Sequence, residues 1–202
     1  MTPFTEVTGV AIPLPMDDIN TDQIIPSKYL KDLHADLAEG FMAFQRRRPD
    51  GTVMADFVLE RPEFKAGPIL VVGANFGCGS SREHAVWAMQ AYGIRCVIGH
   101  RLAEFFIDNC LKNGVLPIEL DAQTHQSFMQ DVIRLDGQSP VCVDLQRCQI
   151  RGPSQAVLNF DIDPQQRRML LEGLDDITLT LQHLTAIEAW EHAHQTTTFK
   201  FS

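Results

Sequence analysis

The chain has 202 residues, 45% hydrophobic and 21% charged, an ordinary globular balance with enough length for a single domain spanning 1–202. Its formal net charge of −9 repels phosphate backbones and anionic lipid surfaces, so neither nucleic acid nor membrane is an expected partner. No apolar run approaches the ~18 residues of a membrane span, MTPFTEVTG lacks the basic and apolar regions of a signal peptide, and the expected setting is cytoplasmic.

In chain order, TEVTGVAIPL at 5–14 alternates loosely and predicts a first strand, followed by PMDDINTDQIIPS, a loop rich in Asp, Asn and Pro. Leu30, Leu33, Leu37, Phe41 and Phe44 fall near helical spacing and predict a helix from Tyr29 to about Arg47, stopped by the Pro-Asp-Gly turn at 49–51. The basic run Arg46–Arg48 then reads as a solvated helix end. Residues 52–67 are irregular, with one short strand at most.

From 68 onward the pattern sharpens. PILVVG, IRCVIG and VLPIEL are short apolar strands, and REHAVWAMQAYG and RLAEFFIDNCLKNG are helices between them, the latter stopped at Gly114. This is a βαβαβ unit, which requires right-handed crossovers and a parallel sheet. A helix over about 122–134 follows, capped by Asp121, and VCVDL, CQIRG and AVLNFDI predict an antiparallel patch. Asp163-Pro164 opens a helix that halts at Gly173, and TAIEAWEHAHQ supplies the last amphipathic helix. The expected fold is α/β, with a second sheet drawn from both ends of the chain.

GANFGCGSSREH at 73–84 holds more special residues than a strand-to-helix connection needs, at the place where open α/β sheets bind ligands. Gly77 and Gly79 permit close backbone approach, while Ser80, Ser81 and Arg82 offer hydroxyls and a guanidinium to an anion such as a di- or tricarboxylate. The competing reading is structural, because Ser80-x-x-Glu83 has the form of a helix capping box. Phosphate motifs are disfavoured: no G-K-[ST] follows and G-x-G-x-x-G is absent.

Five cysteines, at 78, 96, 110, 142 and 148, are irregularly spaced without a C-x-x-C, which fits reduced thiols and not a disulfide framework, zinc site or iron–sulfur cluster. Cys78 is read as a packing residue rather than a nucleophile. For His84 two readings stay open, proton transfer or a hydrogen bond to the loop backbone, and His192-x-His194 reads as a solvated helix end.

NFGCGSSREHA resembles the signature of the small subunits of isopropylmalate isomerases, relatives of the mobile C-terminal domain of aconitase. MDDINTDQIIPSKYL resembles that family's aspartate-rich loop, DFVLERPEF its strand before the signature, and LEGLDDITLTLQH its C-terminal segment. The resemblance implies a three-layer β/β/α swivelling domain with a parallel central sheet and a mixed or antiparallel second sheet. It also implies a partner large subunit carrying a [4Fe–4S] cluster, a small dicarboxylate substrate, and a dehydration–rehydration that moves a hydroxyl between neighbouring carbons. By motif position Ser80 is the catalytic base, Ser81 and Arg82 bind substrate carboxylate, Asp22 is an active-site aspartate, and Lys28 lies in the substrate-sorting loop. A related hydro-lyase acting on citramalate, methylmalate or a homoaconitate-like acid, and a non-catalytic anion-binding module of the same fold, are the alternatives.

Overall fold

The structure, a computed structural model, describes residues 1–31 and 35–194. The first half comprises β1 (Glu6–Gly9), β2 (Ala11–Leu14), the one-turn helices α1 (Thr21–Ile24), α2 (Leu37–Gly40) and α3 (Ala43–Arg46), β3 (Ile69–Ala74), α4 (His84–Tyr92) and β4 (Cys96–His100). The second comprises α5 (Glu104–Lys112), β5 (Leu116–Glu119), α6 (Ala122–Leu135), β6 (Val141–Asp144), β7 (Gln149–Arg151), β8 (Val157–Asn159), α7 (Pro164–Glu172), α8 (Asp176–Leu181) and α9 (Leu184–Ala193).

Strands β2-β3-β4-β5 form a parallel sheet in that order, and β1-β6-β7-β8 an antiparallel one. Side chains alternate across the parallel sheet and both faces are buried, which explains the unbroken apolar runs. Ile12, Leu14, Leu70, Val72 and Val97 pack against α1, α4 and α5. Ala11, Ile69, Val71, Cys96, Ile98, Leu116 and Ile118 pack against the antiparallel sheet and α6. The layers are therefore helices, parallel sheet, antiparallel sheet. The βαβαβ unit, the Asp121 cap, which accepts from the Gln123 and Thr124 amides, and the Asp163–Gly173 bounds of α7 stand as expected.

Four expectations change. The stretch 5–14 is one extended ribbon divided between two sheets at Val10, β1 pairing with β6 and β2 with β3. Gly9 makes this switch possible, because a Cβ there would lie 2.5 Å from the Pro68 ring. The helix expected from Tyr29 to Arg47 is instead a 3₁₀ turn at Ser27–Leu30 followed by α2 and α3; Leu33 lies outside the described residues. Asp36 caps α2 as a new start, and Met42 adopts a left-handed conformation at φ 52° that interrupts the ladder, leaving Phe41 buried and Phe44 exposed.

Arg46 is not solvated. It is 5% exposed, with Nε 2.5 Å from Glu60 Oε1, Nη1 donating to the Ala38 and Phe41 carbonyls, and its guanidinium 5.2 Å from the Tyr92 ring centroid. DFVLERPEF, expected as a strand, contributes a 3₁₀ turn at Val58–Glu60, and that turn brings Glu60 to Arg46.

Candidate active site

β2 and β3 are neighbouring parallel strands, so the segments that follow them leave the same carboxyl edge of the sheet. There they zip together. The Asp18 amide donates to Ala74 O at 2.9 Å, the Gly77 amide to Ile19 O at 2.8 Å, and the Thr21 amide to Cys78 O at 2.9 Å. Side chains reinforce this: Asp17 Oδ1 accepts from the Ala74 amide and Asp18 Oδ1 from Asn75 Nδ2. α1 opens with a capping box in which Asn20 and Gln23 each accept from the other's amide at 2.9 Å. Thr21 and Asp22 are thereby fixed in the first helical turn, alongside the second loop.

Gly77 holds this loop at φ 81°, and a Cβ there would collide with the Phe106 ring. Left-handed strain and overpacking act together, so Gly77→Ala is expected to cost about 2–4 kcal/mol, read as a fall in the urea midpoint. An unchanged midpoint would show that the ring can move aside.

The loop delivers Ser80 to an exposed position with its hydroxyl engaged on two sides. Arg82 Nε donates to Ser80 Oγ at 2.6 Å, and Thr21 Oγ1 lies 3.2 Å from the same oxygen. Thr21 Oγ1 also accepts the Ser80 amide at 3.3 Å, and either hydroxyl can donate in the Thr21–Ser80 contact. Arg82 Nη2 reaches Asp22 Oδ1 at 2.8 Å, so the guanidinium bridges aspartate and serine. Arg82 is the fixed donor to Ser80 Oγ, and the serine stays on the exposed side of the cluster.

Ser80 is therefore not a helix cap. α4 begins only at His84, the position before it makes no side-chain cap, and Ser80 Oγ is committed to Arg82 and Thr21. Its partners are the side chains of Arg82 and Thr21.

The predicted site residues divide. Ser80, Arg82 and Asp22 form one hydrogen-bonded chain, and Thr21, 3% exposed, belongs with them although sequence reasoning passed it over. The Asn20-x-x-Gln23 capping pattern was the available signal for a fixed helical turn there. Ser81 is exposed beside Ser80, and its carbonyl accepts from Asn109 Nδ2 at 3.0 Å, which ties the loop to α5. Lys28 stays apart from the cluster, exposed on the 3₁₀ turn with Nζ 5.0 Å from the Tyr29 ring centroid.

Cys78 is half-buried; burial, and then the nearby Asp18 charge, push its thiol up, which opposes a nucleophilic role and agrees with packing. The His84 ring packs on Trp87, with centroids 4.5 Å apart. His192 and His194 are exposed on the last helix, His194 stacked on Trp190. Among the described residues no group of three or more His, Cys, Asp or Glu side chains is arranged to hold a metal ion. Nor do they contain a helix long and apolar enough to cross a membrane.

A parallel sheet backed by an antiparallel one, with a serine–arginine loop at its carboxyl edge, places the chain in the class of aconitase C-terminal domains, and the profile of the aconitase C-terminal domain family matches residues 1–123. The 3-isopropylmalate dehydratase small subunit of Agrobacterium fabrum is 45% identical over 195 residues, covering 96% of each chain. That of Brucella canis is 46% identical over 192 residues, covering 95% of each. A crystal structure of 3-isopropylmalate dehydratase from Methanocaldococcus jannaschii superposes with a TM-score of 0.61 at 26% identity, over 92% of this chain and 99% of that one. The chain belongs to the 3-isopropylmalate dehydratase small-subunit family.

Proposed function

We propose that this chain is the small subunit of a 3-isopropylmalate dehydratase, which interconverts 2-isopropylmalate and 3-isopropylmalate by dehydration and rehydration in leucine biosynthesis. The observation that carries this reading is the exposed Ser80 hydroxyl, held between Arg82 and Thr21. Family membership over nearly the whole chain supports it.

In the forward direction Ser80 Oγ takes the proton from the carbon next to the one bearing the hydroxyl. That C–H electron pair forms the double bond, and hydroxide leaves the neighbouring carbon. In rehydration hydroxide adds to the carbon that lost its proton, and the proton held at Ser80 returns to the other carbon. Lewis-acid assistance to the departing hydroxide is supplied by the [4Fe–4S] cluster expected on the large subunit.

Serine is a weak base, and this chain's contribution is to favour its ionised form. Arg82 Nε–H donates to Ser80 Oγ, an ionised serine leaves Thr21 as the donor in their contact, and hydrogen bonds to the charged form stabilise it. The remaining guanidinium N–H groups of Arg82, with Ser81, are assigned to a substrate carboxylate, and Asp22 holds the guanidinium in register. Lys28 is assigned to sorting the substrate side chain.

In the isolated chain water competes for every one of these donors. Once a second protein covers the edge, water is excluded and the same contacts strengthen. The proposed β/β/α unit therefore works by closing on the large subunit, in a reducing cytoplasm that its five free thiols fit.

The test is anaerobic co-expression with the large subunit from the same genome, followed by assay of a panel of 2- and 3-substituted malates. Turnover of the isopropylmalates by the pair, with none by this chain alone, is the expected result. A complex that forms but turns over none of the panel would overturn the reading.

A further inference from the structure

Beyond α7 come two helices that the described residues leave largely exposed. Ile177 and Leu181 on α8 are 72% and 56% exposed, and Leu184 and Trp190 on α9 are 46% and 63% exposed. Leu184, Ile187 and Trp190 recur every third residue and line one stripe, and no residue of α9 is buried. Helices of six and ten residues are marginal on propensity alone and are ordinarily held by packing of an apolar face. This arm has the face and, among the described residues, lacks the packing.

Its charge is one-sided. Between Arg168 and Lys200 there is no lysine or arginine, while Asp175, Glu188 and Glu191 accompany the apolar residues. A second copy of the arm would meet it with the same sign, on a chain that already carries −9. The complementary surface is an apolar groove with a basic rim.

Position identifies what offers that groove. An open cavity of about 390 Å³ runs from Asp175 and Ile177 to Lys112, Asn113 and Glu83, and Glu83 lies in the same loop as Ser80. The cavity thus joins the loop that carries Ser80 to the start of α8, and a protein closing over that loop lies beside the arm.

We infer that α8 and α9 form a docking arm that seats its apolar stripe in a basic-rimmed groove of the large subunit; this rests on the small-subunit function proposed above. The affinity of the full chain for the purified large subunit is measured for the natural sequence, for Leu181→Glu with Trp190→Glu, and for Glu188→Lys with Glu191→Lys. Each double variant is expected to bind at least about tenfold more weakly. Each is also expected to keep the urea midpoint of the isolated chain, since the altered side chains are exposed. Backbone amides of α8 and α9 are expected to exchange more slowly when the large subunit is added.

Equal binding by the natural chain and both variants overturns the arm and leaves the small-subunit reading standing. No binding by the natural chain brings down that reading and the arm with it. An isolated chain that dimerises through these residues, with large-subunit binding unaffected by the variants, assigns the arm to a second copy and overturns the proposal.

Discussion

Ser80→Ala in the assembled enzyme is expected to lower turnover by about 10²- to 10⁴-fold, the usual range for loss of a positioned general base. Stability should move by less than about 0.5 kcal/mol, because Ser80 is exposed and caps no helix. The two numbers together decide between chemistry and structure. A capping serine replaced by alanine would cost about 1 kcal/mol and leave turnover nearly intact. Here Ser80 Oγ is bonded to Arg82 and Thr21, so the opposite pattern is expected. Assembly with the large subunit should survive, as should chromatographic behaviour of the complex. Near-normal turnover of the alanine variant would remove Ser80 from the mechanism.

Arg82→Ala should follow closely, with turnover down by about 10²- to 10³-fold, the range seen when a preorganised donor to a developing oxyanion is removed. Arg82→Lys keeps the charge but cannot bridge Ser80 and Asp22 as the guanidinium does through Nε and Nη2, so it should recover only a small part of the loss. Stability is again a poor reporter. Arg82 and Asp22 are 33% and 59% exposed, and such surface pairs contribute about 0–1 kcal/mol. The contribution of this pair is to position the guanidinium. Turnover by Arg82→Lys equal to that of the natural chain would reduce the arginine to a bare charge.

The parts of the fold legible in the sequence are those whose signals are local. Short apolar strands alternating with helices defined the parallel sheet, and Asp121, Asp163 and Gly173 bounded helices where they stand. The parts that were not legible depend on partners distant in the chain. Nothing near Glu6 shows that it will lie opposite Asp144, and so nothing divides 5–14 between two sheets. Apolar residues between 29 and 47 have helical spacing, yet the chain breaks there because Met42 turns left-handed and Arg46 must reach Glu60. At the site, the serine–arginine loop announced itself by residue type, and its geometry did not. Thr21 sits 59 positions from Ser80, and only the zipped loops bring its hydroxyl to the serine.

The shared ribbon at 6–14 has a mechanical meaning. Because a single length of backbone is an edge of one sheet and an edge of the other, neither layer can be peeled away without tearing its neighbour's border. The molecule should yield to force or heat as one body, and a cut at Val10 would do more to loosen it than the loss of any single side chain.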